Sequence, residues 1–188
     1  MQTNGSIQQN YGPSAIATPA NALTLFRLAA TPVFLVILLT TKVGWIPLFI
    51  WFVLTSTDGV DGWIARKQGT TRSGAFLDPL ADKFLVLGAF GALAVTGVFS
   101  FLPVIITGAR ELFMSLYRSY KSRQGVSIPA GSIAKMKTFT QDIAVAIAIS
   151  PIGETFRAIS VVVLWISVIL GVVSFLIYLN NGRRIAIS

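Results

Sequence analysis

Six apolar stretches, each about long enough to cross a bilayer as a helix, dominate this chain of 188 residues. Breaks rich in glycine, proline or charged residues separate them. The stretches run, with soft boundaries, over 23–41, 45–65, 79–98, 102–120, 133–149 and 158–179. A helix needs about 20 apolar residues to span the hydrocarbon core. The pattern therefore predicts an all-α, polytopic membrane protein with six transmembrane helices.

The composition excludes most alternatives to a membrane protein. Hydrophobic residues make up 54% of the chain and charged residues only 12%, against roughly 25% charged in a soluble domain. The chain contains no cysteine and no histidine, which excludes disulfide scaffolds, thiolate metal sites and imidazole catalysis. Any chemistry must come from seven Asp and Glu residues, fifteen Lys and Arg residues, hydroxyl groups and bound ions.

The basic residues predict the orientation. The net charge is +8, and in so apolar a chain we interpret it as membrane topology rather than as nucleic-acid binding. Lys and Arg cluster between the second and third stretches, between the fourth and fifth, and after the sixth. This bias predicts that both termini are cytoplasmic. Residues 1–22 are polar, lack Lys and Arg, and predict a short juxtamembrane tail before a membrane domain over 23–188.

Four of the acidic residues fall at the predicted cytoplasmic ends of the second and third stretches. Asp58 and Asp61 share one face of the second helix, and Asp78 and Asp82 stack one turn apart on the third. A loop of about ten residues is expected to join the two helices as an antiparallel hairpin, so that the two faces can meet. Carboxylates inside a membrane span, below the level of the lipid headgroups, cost a few kcal/mol each and usually indicate function.

Four facing carboxylates cannot all stay ionised without cations, because like charges raise one another's pKa. Two divalent ions would balance them, and ligands that are all oxygen favour Mg²⁺ or Mn²⁺. Such a pair is typical of phosphoryl chemistry. Two alternatives remain open at this point: carboxylates paired with nearby Arg and Lys, and an ion path through a cation transporter.

A longer pattern surrounds these carboxylates. The run Asp58-Gly-Val-Asp61-Gly62-Trp-Ile-Ala65-Arg66, followed by Gly74, Asp78 and Asp82, resembles the signature of the CDP-alcohol phosphotransferases at all eight positions. The resemblance covers nearly the whole chain. It implies transfer of a substituted phosphate from a CDP-linked donor to an alcohol, with release of CMP, by in-line displacement at two metal ions.

The resemblance also implies roles for individual residues. Asp58, Asp61 and Asp78 would hold the metals, and Asp82 would both touch a metal and act as the base that takes the proton of the hydroxyl. Several further residues would contact the donor or let it approach: Gly62, Ala65, Arg66, Thr71 and Gly74. The alternative for Gly62 and Ala65 is helix packing through small residues.

Three other segments resemble the branch of this family that makes phosphatidylglycerophosphate in bacteria. They are 18–27, the pair Arg110-Glu111, and 132–141 with its Lys135-Met-Lys137-Thr run. The implied donor is CDP-diacylglycerol, with Asn21 and Thr24 on its side of the site, although either could instead cap the first helix. Arg27 could also face the site. The implied location is the bacterial cytoplasmic membrane, with the site facing the cytoplasm.

The implied acceptor is sn-glycerol 3-phosphate, a small dianion that needs a cationic pocket. The candidate cations for that pocket are Arg110, Arg118, Lys135 and Lys137. An internal pair with Glu111 is the alternative for Arg110, snorkelling for Lys135, and a loop charge for Arg118. Other acceptors remain open, namely inositol phosphate, phosphatidylglycerol and serine. The family further implies a homodimer, and a run of small residues on the third stretch would permit close contact between helices: Gly88, Gly91, Ala92 and Ala94.

Overall fold

The computed structural model describes residues 18–68, 72–123 and 132–185, with side chains except at 20, 58, 61–68, 72–76, 122–123 and 181–185. Over these residues the chain forms six α-helices and no strand. They are α1 (Pro19–Thr41), α2 (Trp45–Gln68), α3 (Arg72–Val95), α4 (Phe101–Arg123), α5 (Ser132–Ile149) and α6 (Arg157–Ile185). The prediction of an all-α fold with six helices is confirmed.

Two helices begin at least four residues earlier than the sequence predicted. Helix α1 begins at Pro19, because Thr18 caps it by accepting a hydrogen bond from the Asn21 backbone N–H at 3.2 Å. The alternative that Asn21 or Thr24 caps this helix is therefore wrong. Helix α3 begins at Arg72 and continues through Pro79, where the sequence predicted its start.

The prediction of a loop of about ten residues between α2 and α3 is also wrong, because α3 begins at Arg72. Only residues 69–71 separate the two helices, and Gly74 belongs to the first turn of α3 rather than to a loop. Proline is tolerated inside membrane helices because neighbouring groups can satisfy the backbone carbonyl that it leaves unbonded. A proline therefore marks a helix end less reliably here than in a soluble protein.

The helices pack around one apolar core. Helix α1 lies against α2 and α3, α5 lies against α6, and α4 contacts α3 and α6. The largest core side chains are fully or almost fully buried and come from α1, α2, α3 and α6: Phe34, Trp51, Phe90 and Leu164. At one end of the bundle, the Gly44 N–H donates to the Ile149 carbonyl, and Arg157 donates to the Gly97 carbonyl. We call the opposite end, where α1, α3 and α5 begin, the site end.

The outer surface of the bundle is apolar. Large side chains such as Trp45, Phe49, Val95 and Phe139 are more than two-thirds exposed. Within the described residues, two helical segments are long and apolar enough by themselves to cross a membrane, Asn21–Thr41 and Arg157–Asn180, and a shorter apolar segment covers Trp45–Thr57. Apolar surface of this extent indicates a membrane protein.

The small residues of α3 mostly face the inside of the chain. A Cβ added at Gly88 would lie 2.8 Å from Leu35 Cδ1 on α1, and Ala92 and Ala94 are buried. Among these four positions, only Gly91 has open space around it. The run therefore serves packing of α3 within the chain, and the expectation that it forms a contact surface between two copies is not supported.

Gly153 is the tightest glycine in the described residues. A Cβ there would lie 2.5 Å from the Ala148 carbonyl oxygen and 2.9 Å from that of Ser150. We expect Gly153→Ala to destabilise the protein by about 1–3 kcal/mol, because rigid backbone must move to admit the methyl group. Thermal unfolding in detergent measures this, with Gly108→Ala as the control, since nothing lies within 4 Å of a Cβ at Gly108. An unchanged melting temperature for Gly153→Ala would contradict the expectation.

Candidate active site

Two of the four predicted metal ligands have described side chains. Asp78 and Asp82 lie one turn apart on α3, and both are half-buried. Asp58 and Asp61 lie on the second half of α2, and their side chains are outside the described residues. Among the side chains that the structure describes, no three carboxylates come together as a metal site. The meeting of all four carboxylates therefore stays a prediction.

Thr24 contacts one of these carboxylates directly. Its side chain is buried, and its hydroxyl donates a hydrogen bond of 2.5 Å to Asp78 Oδ1. A short bond from a hydroxyl to a carboxylate is a strong, charge-assisted one, and it fixes the direction of the carboxylate. The sequence had placed Thr24 beside the donor. In the structure Thr24 contacts Asp78, and Asn21 is buried in the first turn of the same helix.

Arg27 is buried at the site end. No part of its side chain is exposed, and its Nε donates to Thr57 Oγ1 at 3.2 Å. With Asp82 and Asp142 it lines a small cavity of about 20 Å³ between α1, α2, α3 and α5. Arg27 therefore lies beside Asp82, where the sequence analysis expected that it could face the site.

Asp142 is a site residue that the sequence reasoning missed. It lines the small cavity beside Arg27 and also the large cavity described next, so it lies between the two. A signal was present in the sequence. Asp142 is the single acidic residue of α5, and it is seven positions after Lys135, which places both residues on one helical face.

A cavity of about 440 Å³ opens between α3, α4 and α5. Asp82 lines it, and so do all four cations predicted for the acceptor: Arg110, Arg118, Lys135 and Lys137. Lys83 and Asp142 also line the cavity. Helix α3 supplies the carboxylate predicted to be the base, while α4 and α5 supply the four cations. The cavity is thus lined by a carboxylate, which can accept a proton, and by four cations, which can bind a phosphate. This combination suits a small phosphorylated alcohol.

Glu111 organises part of that wall. Its Oε1 accepts from Arg110 NH1 at 2.5 Å and from Lys137 Nζ at 2.6 Å, and its Oε2 lies 3.9 Å from Lys83 Nζ. Arg110 also donates to the Gly171 carbonyl at 3.3 Å and to Ser174 Oγ at 3.4 Å, both on α6. Lys83 donates to Ser115 Oγ as well. Glu111 therefore connects α4 to α3 and α5 through ion pairs, and Arg110 extends this network to α6 through hydrogen bonds.

The other two predicted cations are held differently. Arg118 and Lys135 are exposed, and within the described residues neither has a carboxylate within ion-pair distance. The internal pair with Glu111, which was the alternative interpretation of Arg110, is observed. Arg110 still lines the cavity while it is paired with Glu111. Arg118 and Lys135 therefore line the cavity without an ion-paired carboxylate among the described residues.

The remaining predicted donor residues lie outside the described side chains. Gly62, Ala65 and Arg66 are on the last turns of α2, and Gly74 is on the first turn of α3. Thr71 lies in the segment 69–71, outside the described residues. Their roles toward the donor stay predictions.

The family of this helical bundle follows from the sequence. Residues 17–173 match the profile of the family described as CDP-alcohol phosphatidyltransferase. The match covers most of the chain, and the chain belongs to this family. The family resemblance predicted from the signature is confirmed.

Individual relatives show which enzymes of this family the chain is similar to. The chain is 34% identical over 182 residues to a probable phosphatidylglycerophosphate synthase of Mycobacterium tuberculosis, an alignment that covers 92% of this chain and 85% of the relative. It is 33% identical over 169 residues to the CDP-diacylglycerol–glycerol-3-phosphate 3-phosphatidyltransferase of Haemophilus influenzae, covering 86% and 91%. The enzyme of the same name from Pectobacterium atrosepticum is 35% identical over 170 residues, covering 86% and 93%.

Proposed function

We propose that the protein transfers the phosphatidyl group of CDP-diacylglycerol to sn-glycerol 3-phosphate, giving phosphatidylglycerophosphate and CMP. The observation that carries the proposal is the 440 Å³ cavity, where Asp82 and four cations from α4 and α5 line one space. The names of the relatives support the same donor and acceptor. A neutral alcohol would not need such a wall of positive charge.

In this reaction the acceptor hydroxyl attacks the β-phosphorus of the donor. A new P–O bond forms to the glycerol oxygen, the P–O bond to CMP breaks, and the hydroxyl proton passes to Asp82. The cations of the cavity would bind the phosphate of the acceptor and so hold its free hydroxyl toward Asp82. Orientation of this kind replaces a large part of the entropic barrier of a reaction between two molecules.

Divalent metal ions fit the residues of this site. The donor set is made of carboxylate oxygens, which suit Mg²⁺ or Mn²⁺, and Thr24 already holds Asp78 in one direction as an outer partner of a metal ligand would. Asp58, Asp61, Asp78 and Asp82 would hold two ions. When bound, the ions would neutralise the diphosphate of the donor and the charge that develops on CMP.

The alternatives predict different substrates. Inositol phosphate would use the same cationic wall, whereas serine and phosphatidylglycerol carry no phosphate monoester for it to bind. A cation transporter would need acidic groups along the bundle. Among the described acidic residues, Asp82, Glu111 and Asp142 line one cavity, Asp78 lies one turn from Asp82, and Glu154 lies in an exposed turn at the opposite end of the bundle. Acidic groups gathered at one cavity favour an enzyme.

A panel of acceptors tests the proposal. Purified protein in detergent receives labelled CDP-diacylglycerol, Mg²⁺ or Mn²⁺, and one acceptor at a time: glycerol 3-phosphate, inositol phosphate, phosphatidylglycerol or serine. We expect CMP release and a phosphatidylglycerophosphate product with glycerol 3-phosphate. Turnover that is faster with another acceptor would contradict the proposed acceptor, and metal-independent CMP release would contradict the proposed chemistry.

Lys135 tests the cationic wall. We expect Lys135→Ala to lower kcat/KM for glycerol 3-phosphate by about 10- to 150-fold, because a charge-assisted hydrogen bond to phosphate contributes about 1.5–3 kcal/mol. The KM for CDP-diacylglycerol should stay near that of the parent. Lys121→Ala is the matched control, since Lys121 lies on α4 near the same end but outside the cavity lining. A raised donor KM with an unchanged acceptor KM would move Lys135 to the nucleotide side.

The placement in the membrane completes the proposal. All six helices would cross the bilayer, with both termini and the site end on the cytoplasmic side of a bacterial inner membrane. The Lys and Arg residues near the site end support this orientation. A homodimer in the membrane is part of the same proposal, and crosslinking in membranes before solubilisation tests it.

A further inference from the structure

The cations of the large cavity fall into two groups according to what holds them. Arg110 and Lys137 are bound to Glu111 at 2.5 and 2.6 Å, so a carboxylate offsets part of their charge. Arg118 has no such partner within the described residues, and yet its guanidinium is not simply extended into solvent. Its central carbon lies 5.4 Å from the centre of the Tyr178 ring on α6.

Tyr178 is itself firmly held. Its side chain is only 7% exposed, and its ring meets that of Tyr117 edge-on, with centroids 5.8 Å apart. Tyr117 stacks with Phe113, which in turn meets Phe175 edge-on at 5.1 Å. We call these four rings from α4 and α6 the aromatic cluster. Its packing fixes the position of the Tyr178 ring relative to the cavity.

A ring face and a carboxylate hold a cation in different ways. The carboxylate offsets the positive charge and occupies N–H donors, whereas the ring attracts the cation through its quadrupole and adds no negative charge. A guanidinium over a ring therefore keeps its charge, and the N–H groups at its edge can still bind phosphate oxygens. Arg118 lines the cavity in this state.

We propose that Tyr178 is a positioning residue for the acceptor. Its ring holds Arg118 at the cavity wall, with the charge of the guanidinium uncompensated, so that Arg118 binds the phosphate monoester of the acceptor alcohol. The proposal rests on the proposed function, because that function supplies the phosphorylated acceptor. It assigns to the end of α6, which contributes no predicted site residue, a part in binding that substrate.

The experiment compares variants of the full protein in detergent. We expect Tyr178→Met to raise the KM for glycerol 3-phosphate by about 3- to 10-fold, as loss of a partly exposed cation–π contact would. Tyr178→Phe keeps the ring and should stay within about twofold of the parent. Phe101→Met is the matched control, because Phe101 is an exposed aromatic residue at the start of α4, at the opposite end of the bundle from the aromatic cluster. The KM for CDP-diacylglycerol should not change in any of the three.

A second series keeps the proposal testable even where Tyr178→Met does not fold. Phenylalanine with one, two or three fluorines at position 178 keeps the shape of the ring while weakening the negative potential of its face, so the acceptor KM should rise with each fluorine. In an Arg118→Ala background, replacing Tyr178 by the trifluorinated ring should have no further effect, since both changes remove one contact.

Three results would overturn the proposal. They are an acceptor KM that does not respond to fluorination, an equal rise in Tyr178→Phe and Tyr178→Met, or a full additional effect of the fluorinated ring in the Arg118→Ala background. A parent protein that turns over glycerol 3-phosphate, with variants that do not differ from it, would overturn this inference alone. A parent that does not use glycerol 3-phosphate at all would overturn the proposed function with it.

Discussion

Asp82→Asn is expected to lower kcat by about 10²- to 10⁴-fold, the usual contribution of a positioned base. The substitution keeps the size of the side chain, but an amide cannot take the proton of the attacking hydroxyl. Asp82 is suited to that role because it is half-buried on α3 and lines the cavity that also holds the predicted acceptor cations. Release of labelled CMP from CDP-diacylglycerol under saturating glycerol 3-phosphate measures the effect.

Two comparisons make this result specific. Glu154→Gln removes a carboxylate from an exposed turn at the opposite end of the bundle and should leave kcat unchanged. Binding of Mn²⁺ by Asp82→Asn, measured beside Asp78→Asn, separates loss of a base from loss of a metal ligand. An Asp82→Asn protein that keeps more than about a tenth of the parent kcat would exclude Asp82 as the base.

Glu111→Ala is expected to reduce stability by about 3–5 kcal/mol, the usual cost of removing one partner of a buried ion pair. Arg110 and Lys137 would both lose the oxygen that they share, in a region where Glu111 is 8% and Lys137 7% exposed. Thermal unfolding in detergent, followed by the loss of helical circular dichroism, measures the change.

A double variant separates the ion pair from simple loss of packing. Adding Lys137→Met to Glu111→Ala removes one of the unpaired cations, so the double variant should be more stable than Glu111→Ala alone. Glu154→Ala again serves as the control and should change stability by no more than about 0.5 kcal/mol. If the double variant were less stable than either single variant, the charges would not be the cause.

The helices could be predicted from the sequence because apolar length is a strong signal in such a chain. The ends were less well predicted. Pro79 indicated a start of α3 that the structure places at Arg72, since a proline inside an apolar helix costs less than the same proline in water. Thr18, which caps α1, was passed over because the first apolar residues come several positions later.

The site was predictable where motifs exist and not where contacts cross between helices. Asp82 and the four acceptor cations were all expected, and they line one cavity. Periodicity along one helix cannot show that Thr24 reaches Asp78, or that Glu111 binds Lys137 on another helix. Asp142 could not be predicted from the signature because it lies outside it, and Tyr178 could not be predicted because an aromatic residue in an apolar helix resembles any other core residue.

The helices that carry the predicted catalytic residues differ from those that carry the predicted acceptor residues. This difference bears on how enzymes for lipids with new headgroups can evolve. The predicted catalytic carboxylates belong to α2 and α3, whereas the cations proposed to bind the acceptor belong to α4 and α5, and Arg110 contacts α6. Under the proposed function, we expect substitutions in α4 to α6 to change the acceptor alcohol without altering the chemistry at phosphorus. Lys83 on α3 contacts Ser115 and approaches Glu111, so it lies where α3 meets α4. A chimaera that takes α4 to α6 from a relative with another acceptor would need matching residues at Lys83 and where α2 meets α5, as at the hydrogen bond from Trp51 Nε1 to the Asp142 carbonyl.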